Sequence, residues 1–114
     1  MEMTVDRGAS ASSRQAINEV IALVSKSKNV PRRVLMNRSR CRAPAARARQ
    51  LAMYLSYVML GRTLAEIGGI FGRDRTTVSY ACALIEDMRD DPVFDAEVCR
   101  LESRIEAGSA NLGH

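Results

Sequence analysis

The sequence predicts an all-α protein, a small helical bundle that contains a helix-turn-helix. The chain has 114 residues, 46% of them hydrophobic and 4% aromatic, so it is long enough for one domain with a modest core. Strong helix formers such as alanine, leucine and arginine dominate, and no alternating run of β-branched residues reaches strand length. Apolar residues instead recur at three- and four-residue spacing, which is typical of amphipathic helices.

The first helix is predicted over residues 14–25, after a flexible tail of residues 1–13 that lacks periodicity. Its apolar stripe consists of Ile17, Val20, Ile21 and Val24. The segment 29–31 ends this helix. A second, short helix is predicted to begin at Pro31, where a missing N–H costs no hydrogen bond.

A long third helix is predicted from Pro44 to Leu60. It follows the arginine-rich segment 37–43, which has no apolar face and is expected to be a loop. Gly61 can end the helix in the left-handed conformation that helix C-termini favour. The expected core residues of this helix are Leu51, Tyr54 or Leu55, Val58 and Met59.

Two shorter helices with a glycine between them follow. Thr63 and Glu66 have the spacing of a capping box, which predicts the start of the first helix. Gly72 supplies the turn, and Asp74 is the expected N-cap of the second helix. The inward positions of that helix are predicted to be Val78, Ala81, Cys82 and Ile85, and the outward ones Arg75, Thr76, Ser79 and Ala83. This is the outline of a helix-turn-helix. A helix whose outward side chains are mostly small can enter the major groove of DNA.

A final amphipathic helix is predicted over residues 93–107, within a domain that spans residues 14–107, and residues 108–114 are expected to be flexible. Its apolar stripe is Phe94, Val98, Leu101 and Ile105. We expect this helix either to pack back on the bundle or to bind a protein partner or second subunit.

Charge is distributed unevenly along the chain. Residues 26–75 contain twelve basic residues, ten of them arginine, and two acidic ones, a net charge of +10. Residues 76–114 contain three basic and eight acidic residues, a net charge of −5. Guanidinium groups match phosphate oxygens, so the basic part is suited to phosphate contact.

Three motifs follow one another in the sequence: Ala48-Arg49-Gln50, Leu64-Ala65-Glu66-Ile67-Gly68 with Phe71-Gly72, and Arg73-Asp74-Arg75-Thr76-Thr77-Val78. In this order they resemble the C-terminal DNA-binding domain of the bacterial replication initiator DnaA, whose helical fold is also Trp-repressor-like. The resemblance implies this fold and binding of double-stranded DNA.

The resemblance also implies roles for individual residues. Reading of base edges is expected of Asp74, Arg75, Thr76, Thr77 and Ser79, and entry into the minor groove of Arg40 and Arg42. Phosphate contacts are expected of Arg47, Arg49, Gln50, Leu64, Ala65 and Arg73, with Leu64 and Ala65 using backbone amides at a helix N-terminus.

Three differences from the family concern the recognition helix and the turn before it. Arg75 stands where the family commonly has histidine, and Gly72 stands alone where the family usually has two glycines. The late helix positions Ala83 and Leu84 replace basic residues of the family. We therefore expect a different target sequence and fewer phosphate contacts.

The motifs predict a sequence-specific DNA-binding protein that regulates transcription, in the cytoplasm at the nucleoid. No phosphate loop of the form G-x-x-x-x-G-K-[ST] and no catalytic set occurs in the sequence, so we expect neither the initiator's ATPase domain nor any other enzyme activity. We expect no cofactor, small-molecule substrate or membrane span, and no metal site at Cys41, Cys82, Cys99 or His114. The alternatives are a competitor for the initiator's boxes that restrains replication, and a protein-interaction module that docks through its acidic last helix.

Overall fold

The computed structural model describes residues 11–37 and 43–112, and that part of the chain is all-α, as the sequence predicts. Six helices follow one another without a strand between them. They are α1 (Ala11–Lys28), α2 (Arg32–Leu35), α3 (Ala43–Leu60), α4 (Leu64–Phe71), α5 (Arg75–Met88) and α6 (Pro92–Leu112).

Helix α3 is the centre of the bundle. It packs against α1 on one side and α5 on another, and it also contacts α2, α4 and α6. Contacts on several sides explain why consecutive residues 51–56 of α3 are all buried. Full burial of a leucine or methionine side chain among them contributes about 1.5–3 kcal/mol. The helices that contact α3 therefore take their positions from it.

The end of α3 differs from the prediction. Val58, expected in the core, is 41% exposed, whereas Ser56 is fully buried. The hydroxyl of Ser56 donates to the carbonyl oxygen of Ala52 at 2.8 Å. A serine satisfied in this way can occupy an inward position, which sequence periodicity alone assigns to an apolar residue.

Both terminal helices are longer than predicted. Helix α1 begins at Ala11, inside the segment expected to be a tail, and Ser13 is buried there with its hydroxyl bound by the guanidinium of Arg62. Helix α6 continues to Leu112, past the predicted end at residue 107. No proline follows residue 107 to end the helix. Gly108 does not end it either, because it has no left-handed φ.

Helix α6 packs back on the bundle, which was the first of the two arrangements predicted for it. Phe94, Val98 and Leu101 are buried in the core, so this apolar stripe is not available to a partner. Lys28 of α1 also pairs with Glu97 of α6 at 2.7 Å.

Arg89, directly after α5, joins three helices. Its guanidinium pairs with Asp95 at 2.6 Å and with Glu102 at 2.8 Å, and it donates to the hydroxyl of Tyr54 at 3.0 Å. These bonds, Glu102 first, raise the pKa of Arg89. Tyr54 in turn donates to Glu86 at 2.8 Å, and burial together with that bond raises the pKa of Tyr54. The ends of α5 and α6 are thereby fixed against α3.

In the described ranges, no helix has the length and hydropathy required to cross a membrane.

Candidate nucleic-acid interface

Helices α4 and α5 form the helix-turn-helix, and local signals set the start of α4. The hydroxyl of Thr63 accepts from the Glu66 amide at 3.1 Å, and the Glu66 carboxylate accepts from the Thr63 amide at 3.0 Å. This reciprocal capping box confirms the prediction. It leaves the amides of Leu64 and Ala65 without intrahelical acceptors, as in the first turn of any helix.

The turn between the two helices depends on two glycines. Gly72 has φ +69°, in the left-handed region where glycine has no steric penalty. Gly68 serves a different purpose, since a Cβ there would lie 2.5 Å from the carbonyl oxygen of Arg73. The Arg73 amide also donates to the Gly68 carbonyl at 2.8 Å. The chain entering α5 therefore runs directly against α4, and only glycine permits that approach.

Asp74 caps α5, as predicted. Its carboxylate accepts from the Thr77 amide at 2.9 Å. This bond, helped by contacts with the Thr77 side chain and the Thr76 amide, lowers the pKa of Asp74. The carboxylate is therefore ionised at neutral pH, where it complements the positive end of the helix dipole.

The face of α5 that was predicted to point outward is exposed to solvent. Val78, Ala81 and Ile85 are buried against the bundle, and the opposite face presents Arg75, Thr76, Thr77, Ser79 and Ala83 to solvent.

Tyr80 is a residue of this face that the sequence reasoning missed. It is 65% exposed and lies four residues after Thr76 and three before Ala83, so it neighbours both on the same side of the helix. That spacing was available in the sequence, but large aromatic residues are usually assigned to the core.

Three of the predicted phosphate contacts lie in the first half of α3 or just before α5. Arg47 in the first turns of α3 donates to the side chain of Gln50 at 3.0 Å, so the two form one polar unit. Arg73 precedes α5 and donates to the carbonyl of Asn37 at 3.3 Å.

The predicted phosphate contact of Arg49 stays a prediction, and the structure gives this side chain partners within the protein. It is only 9% exposed, and its guanidinium donates to the carbonyl oxygens of Leu35 at 2.9 Å and Asn37 at 3.2 Å. The sequence motif suggested a side chain directed at phosphate from the surface. The carbonyl of Leu35, the last residue of α2, has no partner within so short a helix, and Arg49 satisfies it in the buried interior.

Arg40 and Arg42, predicted to enter the minor groove, lie outside the described residues.

The described ranges contain no group of three or more histidine, cysteine, aspartate or glutamate side chains that could hold a metal ion. Cys82 is half-buried on α5, and burial, with a contribution from the charge of Glu86, raises its pKa to about 11. Cys99 is exposed on α6.

A protein family and several individual proteins are similar to this chain. The family described as bacterial dnaA protein helix-turn-helix matches residues 17–85, which is the segment from α1 to near the end of α5. The chromosomal replication initiator protein DnaA of Mesorhizobium japonicum is 43% identical over 76 residues, covering 66% of this chain and 15% of the relative. The same protein of Agrobacterium fabrum is 38% identical over 82 residues, with 71% and 17% covered. That of Acinetobacter baumannii is 37% identical over 84 residues, with 72% and 18% covered. The chain spans less than a fifth of the length of these relatives.

Proposed function

The chain belongs to the family of bacterial DnaA helix-turn-helix domains, which bind DNA, and from that premise we propose that it recognises specific double-stranded DNA and regulates transcription. Such a protein works in the cytoplasm, at the nucleoid. The proposal includes no cofactor and no catalytic step.

The observation that supports this function best is the outer face of α5. A helix that enters the major groove needs a surface narrow enough for a groove about 12 Å wide, with groups that can contact base edges. Thr76, Ser79 and Ala83 form such a surface because they are small and exposed. The face from Arg75 to Ala83 spans about 12 Å of helix, enough to cover a few base pairs.

Charge limits how α5 can lie on the duplex. Glu86 and Asp87, in the last turn of α5, are exposed, and carboxylates there repel phosphate. Arg73 and Arg75, at the start, attract it. We propose that α5 inserts by its N-terminal half, with Asp74, Arg75, Thr76, Thr77 and Ser79 at the bases.

Tyr80 fits the edge of the same contact. Its phenol is exposed beside the groove-facing stripe, and tyrosine hydroxyls are common donors to phosphate oxygens. We assign to Tyr80 a phosphate contact that partly replaces those lost at Ala83 and Leu84. Arg47, Gln50, Arg73 and the amides of Leu64 and Ala65 supply the others in this proposal.

A regulator and a competitor for the initiator's boxes would use this same surface. Arg75 favours the regulator, because its bidentate fork selects guanine where the family commonly has histidine. A changed target sequence separates the protein from the initiator's own sites.

The experiment is a titration of duplex affinity over a range of salt concentrations, with two matched variants. Counterion release makes the affinity of the wild-type protein fall steeply as salt rises. Ala83→Glu places a carboxylate in the groove-facing stripe and should reduce affinity at least tenfold. Ser103→Glu adds the same charge on the exposed side of α6 and should change it little. Equal effects of the two variants, or binding independent of salt, would refute the proposed surface.

A further inference from the structure

Two arginines from different parts of the chain converge on one backbone carbonyl. Arg49 of α3 and Arg73 of the turn before α5 both donate to the carbonyl oxygen of Asn37, at 3.2 and 3.3 Å. Arg49 also donates to the carbonyl of Leu35 at 2.9 Å. We call these four residues the Asn37 junction.

The junction holds α2 in place. A helix of four residues is too short to be stable alone, and its last carbonyls lack helical partners. The planar fork of Arg49 reaches the carbonyl of Leu35, the last residue of α2, and that of Asn37, two residues beyond it. The single ammonium of a lysine does this less well. The bond from Arg49 to Leu35 is buried, so it forms away from competing water and is correspondingly strong.

The junction also holds the start of α5. Arg73 is fixed at its backbone by the hydrogen bond to Gly68 and by the close approach that Gly68 permits. Its side chain adds a second attachment, to Asn37. Asp74, the N-cap of α5, is the next residue, so displacement of Arg73 moves the first turn of α5.

We propose that Arg49 and Arg73 act as positioning residues for DNA recognition: through the shared Asn37 carbonyl they set the orientation of α5 relative to α2 and α3. This inference rests on the proposed function. Arg49 acts on specificity from inside the protein, without contacting the duplex itself.

The test compares Arg49→Lys, Arg73→Lys and the double variant with Arg100→Lys, an exposed control on α6. All four keep the charge. For each protein, the ratio of affinity for a selected duplex to affinity for random duplex is measured, together with the salt dependence on random duplex. A misplaced α5 loses discrimination, whereas the electrostatic contact with random duplex is tolerant of orientation.

We expect Arg49→Lys to lower the specificity ratio at least tenfold, with its affinity for random duplex and its salt dependence like those of the control. The specificity ratio of the double variant should be no lower than that of the more impaired single variant. Both hydrogen bonds end on one carbonyl, and the effects of substitutions that share a partner are not additive. A ratio equal to that of Arg100→Lys would overturn the inference. So would equal losses on both duplexes, which is the result expected of a phosphate contact.

Thermal unfolding of the same proteins separates this inference from the proposed function. The proposed function is tested by the wild-type protein alone, by whether it binds a selected duplex more tightly than random duplex. If it does not, the junction is still judged by the melting temperatures: coupling predicts that the double variant loses less than the sum of the single losses, and additive losses reject the junction. Should Arg49→Lys fail to fold, Arg73→Lys, whose bond lies at the surface, decides. A lower specificity ratio with unchanged affinity for random duplex supports the junction, whereas equal losses on both duplexes show that Arg73 acts only as a phosphate contact and reject it.

Discussion

Adjacent glycines in α4 offer a direct comparison of close packing with helix propensity. In Gly68→Ala, the new Cβ would lie 2.5 Å from the carbonyl oxygen of Arg73 and 3.3 Å from the carbonyl carbon of Asp74. These are backbone atoms, so the turn itself must move. Overpacking of this kind costs about 1–3 kcal/mol, against a gain of roughly 0.5–1 kcal/mol when alanine replaces a helical glycine.

Gly69→Ala gains helix propensity without a steric cost, because a Cβ at Gly69 would meet no atom within 4 Å. The difference between the two variants therefore isolates the steric cost, about 1–3 kcal/mol. Thermal unfolding followed by circular dichroism measures it, since 1 kcal/mol shifts the midpoint of a domain of this size by about 4–8 °C. We expect Gly69→Ala to melt above the wild type and Gly68→Ala to melt clearly below Gly69→Ala. Equal midpoints for the two variants would refute the reasoning that Gly68 exists for the approach of Arg73.

Three further predictions concern individual side chains. Arg75→His should change the motif selected from a randomised duplex library by weakening the preference for guanine at one base pair; an unchanged motif would make Arg75 a backbone contact. Tyr80→Phe should reduce affinity for selected and random duplexes alike by about two- to twelvefold, as loss of one hydrogen bond of about 0.5–1.5 kcal/mol implies, while Tyr57→Phe on α3 should not. A loss of discrimination without a loss of affinity would contradict a phosphate contact. In a Cys41→Ser background, a thiol reagent should modify Cys99 well before Cys82, because burial raises the pKa of Cys82 to about 11 and keeps it protonated at neutral pH; the reverse order would show that α5 opens readily.

The parts of the fold that local chemistry controls could be predicted from the sequence. The capping box at Thr63 and Glu66, the N-cap at Asp74 and the left-handed glycines Gly61 and Gly72 all depend on a few neighbouring residues. The exposed face of α5 follows from the same helical period that buries Val78 and Ile85.

The features that sequence reasoning missed depend on contacts between distant segments. Arg49 looked like a surface contact because its motif resembles one, yet its partners lie 12 and 14 residues earlier in the chain. Arg89 looked like one charge among many, but the packing of α6 gives it Tyr54, Asp95 and Glu102 as partners. An arginine in such a position is not distinguishable by spacing from one in solvent. The predicted roles of the exposed residues of α5, and of Arg40 and Arg42, remain predictions.

Selection from a library of randomised duplexes tests the central claim, that the exposed face of α5 reads DNA sequence. The wild-type protein should enrich one motif. Thr76→Ala should keep its affinity for random duplex but lose the preference at one or two base pairs of that motif, each worth about 1–3 kcal/mol. Absence of any enriched motif, or the same motif with the same strength in both proteins, would contradict the claim.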